Sequence, residues 1–182
     1  MSRFVIISGC SSAGKSTLLA ELANRGYATV PEPGRRVVQH EHATGGTALP
    51  WVDVGAFVDR IVELAYRDYA DAAINTGWTF FDRGLIDALS ALSTLTGVVP
   101  TRSALAAYPF HPQVFLAPPW PEIYETDAER KHGLAEAEVE YRRLAALYPA
   151  LGYETVLLPP VSVAARADFV ERTLGVAAGQ PH

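Results

Sequence analysis

The residues Gly9-Cys10-Ser11-Ser12-Ala13-Gly14-Lys15-Ser16 form the segment of this chain best suited to chemistry. They match the pattern G-x-x-x-x-G-K-[ST]. Its glycines let the backbone curl until consecutive N–H groups point inward, an anion nest at the start of a helix. The Lys15 ammonium is then placed to reach the β- and γ-phosphates of a bound nucleotide, and the Ser16 hydroxyl to ligate Mg²⁺. Gly9, Ser12, Ala13, Gly14, Lys15, Ser16 and Thr17 are the expected nucleotide-binding set, with ATP and Mg²⁺ as the expected cofactors.

Two acidic residues are placed to complement this loop. Asp82 closes the apolar run Trp78–Phe81 and suits the second acidic position that organises Mg²⁺; Arg83 beside it faces either the phosphates or solvent. Glu32 follows the run Tyr27–Val30 between two prolines that restrict the backbone. In a parallel α/β sheet the carboxyl ends of the strands line the ligand crevice. A carboxylate there could take the proton of an acceptor hydroxyl as it attacks the γ-phosphoryl group. The alternative for Glu32 is a solvated turn residue. Arg35 and Arg36 either neutralise an anionic acceptor or are solvated. In the charged stretch Glu122–His132, Arg130 and Lys131 are candidate lid cations that would stabilise the transferring phosphate, the alternative being a solvated helix face. Glu63 and Arg67 have the spacing of a supporting helix pair. Cys10 reads as a small filler, and Trp51, Phe57 and Tyr66 as core, with an aromatic wall for a bound base as the alternative.

The elements that must hold these groups alternate along the chain. Short β-branched or aromatic runs at Arg3–Ser8, Tyr27–Val30, Trp78–Phe81, Val114–Ala117 and Tyr153–Leu158 read as five strands. Helical spacing covers Lys15–Arg25, Arg35–His42, Asp53–Asn75, Gly84–Thr96, Leu134–Tyr148 with Pro149 as its stop, and Val161–Leu174. Ala43–Pro50 is a Gly/Thr-rich loop expected to be mobile, and Val176–His182 a frayed tail. Strands separated by helices imply one parallel sheet with helices on both faces. Residues 1–182 then form a single α/β domain, with 122–133 as its candidate lid.

Composition agrees with that reading. Of 182 residues 49% are hydrophobic and 19% charged, enough apolar surface for a full core and too much for a disordered chain. The net charge of −5 argues against a broad electrostatic grip on nucleic acid. One cysteine excludes an intramolecular disulfide, and the histidines lack the spacing of a zinc site. No apolar run is long enough to span a bilayer, and the N-terminal one is too short for a signal peptide, so a cytoplasmic protein is expected.

On these motifs the chain resembles the P-loop kinases of nucleosides and nucleotides. The segment Val30–Arg36 is similar to the deoxyribonucleoside kinase segment whose glutamate is the catalytic base, which corresponds to Glu32. Asp82-Arg83 is similar to the DR motif of thymidylate kinases and to the acidic–Arg pair of deoxyribonucleoside kinases, which begins with Glu rather than Asp. The VPE segment is also similar to that of ribosylnicotinamide kinases, and Ser11–Ser16 to that of chloramphenicol phosphotransferase. Over nearly its whole length the chain resembles the small AAA-labelled ATP-binding proteins. The residues that carry this are the P-loop, Glu32, Asp82-Arg83-Gly84 and the stretch Val114–Lys131. The resemblance implies a single-domain P-loop NTPase with a five-stranded kinase-type sheet, its P-loop strand beside the DR strand.

The expected function is a small-molecule kinase. Glu32, Lys15, Asp82, Arg83 and Arg130 are its catalytic set, and Ser16 and Asp82 its metal ligands. Transfer of the γ-phosphoryl group of MgATP would go to a hydroxyl or phosphate of a small, nucleoside-like acceptor. The alternative is an ATP-hydrolysing switch acting on a protein partner. The N-K-x-D and D-x-x-G motifs of guanine-specific GTPases are absent after the P-loop. Beyond the acceptor, the partner to consider is a second copy of the chain.

Overall fold

The computed structural model describes residues 2–120 and 133–176. Its strands are β1 (Phe4–Gly9), β2 (Ala28–Val30), β3 (Thr79–Asp82), β4 (Gln113–Ala117) and β5 (Glu154–Leu157). Its helices are α1 (Lys15–Asn24), α2 (Pro33–Thr44), α3 (Val54–Ala72), α4 (Leu85–Thr96), α5 (Leu134–Ala150) and α6 (Val163–Leu174). The strands form one parallel sheet in the order β2-β3-β1-β4-β5, so β1 runs down its centre between β3 and β4.

A central parallel strand is covered on both faces, which is why β1 is apolar without alternation. Val5 and Ile7 pack with Leu18 and Leu22 of α1 and Ala167 and Val170 of α6. Ile6 faces the other way, into a core with Ile61, Phe81, Leu85 and Tyr148. The same alternation parts Phe80 from Phe81 and Phe115 from Leu116. None of the helices described is long and apolar enough to cross a membrane.

Several expectations change in the structure. The helix expected at Arg35–His42 runs from Pro33 to Thr44. Proline is suited to a first helical position, where its missing N–H costs nothing, so the helix begins inside the proline turn and Glu32 becomes its cap. Ala43–Pro50 is not a solvated loop throughout: Ala48 and Leu49 are buried, and the Ala48 amide donates to the Glu41 carboxylate at 3.0 Å. Pro149 does not stop α5, which closes one residue later at Ala150. A proline in the last turn deletes one hydrogen bond where the ladder is ending anyway. Trp51 and Tyr66 are 39% and 37% exposed, so of the three aromatics read as core only Phe57 packs against it. Val176 is packed too, its amide bonded to the Glu171 carbonyl at 2.9 Å, while 177–182 lie outside the described residues.

Candidate active site

Parallel strands deliver their carboxyl ends to one rim. β1 ends in the P-loop, β3 ends in Asp82 in register with Ile7, and β2 ends two residues before Glu32. The loop's curl is visible in left-handed backbone at Gly9 (φ 112°), Ser12 (φ 60°) and Gly14 (φ 71°). Gly9 also lies against β4: a Cβ there would sit 2.3 Å from the Ala117 carbonyl oxygen, which instead accepts the Cys10 amide at 2.8 Å. Only glycine meets both conditions. Cys10 is fully buried, as a filler should be, and burial pushes its thiol up.

Lys15 is buried and donates to the Cys10 carbonyl at 2.6 Å. Burial, and then the Arg83 charge, lower its pKa, opposed by Asp82, Glu32 and Glu140. The Ser16 hydroxyl donates to Asp82 Oδ2 at 2.8 Å. Asp82 is 2% exposed and its Oδ1 has no hydrogen-bond partner. Burial, then the Glu32 charge, raise the Asp82 pKa against the pull of Lys15, Ser16 and Arg83. A buried carboxylate oxygen without a donor costs stability. A divalent cation shared with the Ser16 hydroxyl would satisfy it, so these residues fit the expected Mg²⁺. The Thr17 hydroxyl is turned to the Gly14 carbonyl at 2.8 Å, which leaves its backbone N–H as the group available to the loop.

Arg83 does not face solvent. It adopts left-handed backbone (φ 60°), its amide bonded to the Ile7 carbonyl at 3.0 Å, and its guanidinium is buried against the P-loop. Nη2 donates to the Gly9 carbonyl at 3.2 Å and the Ser11 hydroxyl at 3.3 Å. Glu140 of α5 accepts from Nη1 at 3.0 Å and from Nη2 at 2.8 Å. Glu32 lies 3.2 Å from Nε, an ion pair without a directed hydrogen bond. Burial raises the Glu140 carboxyl, but the Arg83 charge and hydrogen bonds outweigh it and hold the carboxyl below its usual range.

The candidates beyond this cluster divide. Arg36 leaves the site: its guanidinium binds both carboxylate oxygens of Asp68 at 2.7 and 2.8 Å, tying α2 to α3. Arg35 lines a cleft of about 440 Å³ with Glu32, Arg83 and Glu140, walled by Phe57 and Ile61. Glu63 pairs loosely with Arg67 on an exposed face of α3. Arg130 and Lys131 lie outside the described residues.

Residues without a local sequence signal complete the site. Glu140 is one of several glutamates on α5 and becomes distinctive only where the helix crosses Arg83. Asp87 accepts from the Ser8 hydroxyl, from the Tyr148 hydroxyl at 2.6 Å and from the Gly84 amide at 3.0 Å, and so buttresses the turn that carries Arg83. Arg166 of α6, 2% exposed, donates to the Ala13 carbonyl at 3.1 Å and lies 5.7 Å over the Trp120 ring. With Trp120 and the proline pairs 118–119 and 159–160 it lines a second cleft of about 270 Å³ beside the P-loop.

A P-loop at the end of a central parallel strand, beside a strand ending in Asp-Arg, defines the kinase-type fold of the P-loop NTPases. A family model described as AAA domain matches residues 4–166, and the chain belongs to that family. The structure is similar to deoxyadenosine kinase from M. mycoides with bound dATP, at TM-score 0.65 and 14% identity, over 94% of this chain and 99% of that one. It is similar to NadR in complex with NAD and AMP-PNP, at TM-score 0.68 and 19% identity, over 100% of this chain and 52% of that one. Thymidylate kinase from Ehrlichia chaffeensis aligns at TM-score 0.55 and 13% identity, over 95% and 98% of the two chains. These likenesses establish the fold. No curated protein sequence matches the chain.

Proposed function

We propose that the protein is a small-molecule kinase that moves the γ-phosphoryl group of MgATP to an oxygen of a small, nucleoside-like acceptor. The observation that carries this is the position of Glu32: its carboxylate lines the larger cleft and also contacts Arg83, which is bonded to the P-loop. A base is thus held between a space for an acceptor and a loop for phosphates. The similarity to deoxyadenosine and thymidylate kinases supports a nucleoside-like acceptor.

In this reading the P-loop amides and Lys15 hold the phosphates of ATP, and the Trp120–Arg166 cleft receives its base. Lys15 exchanges the Cys10 carbonyl for phosphate oxygens, which restores the favoured charge of a buried ammonium. Ser16 and Asp82 would hold Mg²⁺, which supplies neutralisation of phosphate charge. Glu32 takes the proton of the acceptor hydroxyl as its oxygen bonds to the γ-phosphorus. The bond from that phosphorus to the bridging oxygen breaks, and ADP leaves with the electron pair. Arg83 lies beside Glu32 and Ser11, and with both Nη atoms kept by Glu140 it acts on the transferring group through its charge rather than by a direct hydrogen bond.

The test is incubation with MgATP and a panel of nucleosides, nucleotides and hydroxylated antibiotics, with products identified by mass spectrometry. A phosphorylated acceptor is expected. Glu32→Gln should keep nucleotide binding and lose turnover by about tenfold or more. Hydrolysis that no acceptor changes would refute the kinase reading, and unchanged turnover in Glu32→Gln would remove that residue from the mechanism.

A further inference from the structure

Among the described residues, Lys15 and Arg83 are two buried cations bonded to P-loop atoms, and they differ in what holds them. Lys15 is held by a neutral carbonyl, which a phosphate displaces without separating opposite charges. Arg83 is held by carboxylates: Glu140 takes Nη1 and Nη2 together, and Glu32 stands against Nε. That two-oxygen, two-nitrogen pairing is the geometry with which a guanidinium binds a phosphate. Among the described residues, the cleft around it is lined by four carboxylates (Glu32, Asp87, Glu136, Glu140) and three guanidiniums (Arg35, Arg83, Arg143). Of these, Arg143 directs Nε to the Ser90 hydroxyl at 3.0 Å, beneath the cleft wall on α4. A phosphomonoester, with a charge of about −1.5 to −2 near neutrality, would meet like charge in the carboxylates of that lining, Glu140 first among them.

We infer that Glu140 is a specificity-determining residue: by occupying Arg83 as a phosphate would, it closes the cleft to phosphomonoester acceptors and leaves it open to acceptors uncharged at the reacting end. This deepens and rests on the reading of the larger cleft as the acceptor site, and it selects a hydroxyl over a phosphate as the oxygen that is phosphorylated. Glu140 reaches Arg83 from α5, so the selection is made by an element remote in sequence from both the P-loop and Glu32.

The test is calorimetric titration of the full chain, first with MgADP to fill the P-loop, then with phenyl phosphate as a phosphomonoester on an apolar ring. The unmodified protein should show no saturable phenyl phosphate binding. Glu140→Gln keeps the shape and removes the charge, and it should bind phenyl phosphate at least about tenfold tighter. Glu140→Ala should do the same should the glutamine variant fail to fold, as judged by circular dichroism. Adding Arg83→Lys to Glu140→Gln should abolish the gain, an outcome that a merely structural role for Glu140 would not produce. Saturable binding to the unmodified protein, or no gain in a folded Glu140 variant, overturns the proposal. Absence of MgADP binding in the first titration overturns the nucleotide-site reading, and with it this inference. The product assay decides the kinase reading independently.

Discussion

Asp82 concentrates the conflict between stability and chemistry at the scale of one residue. Its carboxylate is buried beside Glu32, with one oxygen bonded to Ser16 and the other lacking a donor. Burial, then the Glu32 charge, raise its pKa in the folded chain. A raised folded value means that its contribution to stability is fully present below the ordinary aspartate range and is lost as pH rises through the folded value. The ionised group is therefore a burden at neutral pH, which a bound cation would relieve. Asp82→Asn should raise Tm at neutral pH by about 2–4 °C, the shift that roughly 1 kcal/mol produces in a domain of this size. The advantage should narrow in acid, where the native residue is protonated as well, and phosphoryl transfer should be lost. A lower melting temperature at neutral pH would mean that Lys15 and Arg83 already compensate the charge.

Among the elements, the strand-to-helix turn after β1 is the one with least freedom. Gly9 combines left-handed backbone with the close approach of β4, whereas Gly26, at the end of α1, has φ 93° and open space within 4 Å of where a Cβ would lie. Both glycines therefore carry backbone strain on substitution, and only Gly9 adds a collision with main chain that cannot swing aside. Gly26→Ala should cost about 1–2 kcal/mol, the ordinary penalty of left-handed backbone. Gly9→Ala should cost about 3 kcal/mol or more, because overlap adds to strain of that size. Urea denaturation of the two variants measures the difference. Equal costs would show that β1 and β4 can separate at no expense, and the turn would then not be the rigid base of the site. The elements around it also hold it from a distance: α4 through Asp87 at Ser8, α5 through Glu140 at Ser11 and α6 through Arg166 at Ala13.

At the scale of the whole molecule, the described residues form two clefts that both reach the P-loop, one at Ser11 and the other at Ala13, and protein oxygens hold the buried cations Lys15 and Arg83 beside it. A ligand that replaces those oxygens binds the folded state alone, so it must stabilise the entire domain. Mg²⁺ with a non-hydrolysable ATP analogue at a hundred times its Kd should add about 2.7 kcal/mol. That corresponds to a rise in Tm of roughly 5–11 °C at this size. Lys15→Ala should remove most of the shift if, as proposed, this cation exchanges the Cys10 carbonyl for phosphate. An analogue that leaves Tm unchanged at saturating concentration would count against nucleotide binding at this loop.

Local chemistry made much of this legible in the sequence. The P-loop needs two glycines five positions apart, a lysine and a hydroxyl, so the whole motif lies within eight residues. Buried parallel strands announce themselves as short apolar runs, and Asp82 and Glu32 could be assigned to the ligand rim because every parallel strand ends on the same side. Helix ends were less legible where proline was concerned, because its effect depends on position: Pro33 opens a helix, and Pro149 sits in the last turn of one. What only the tertiary structure decided were the partners of the charges. Arg36 and Arg83 are alike in sequence as arginines beside candidate site residues, yet one ties two helices together and the other is buried at the P-loop. Glu140 had no signal at all, since a helical glutamate becomes a partner for Arg83 only through the packing of α5 across the sheet. An ion pair depends on distance in space, and chain separation carries no information about it once the fold has brought the two ends together.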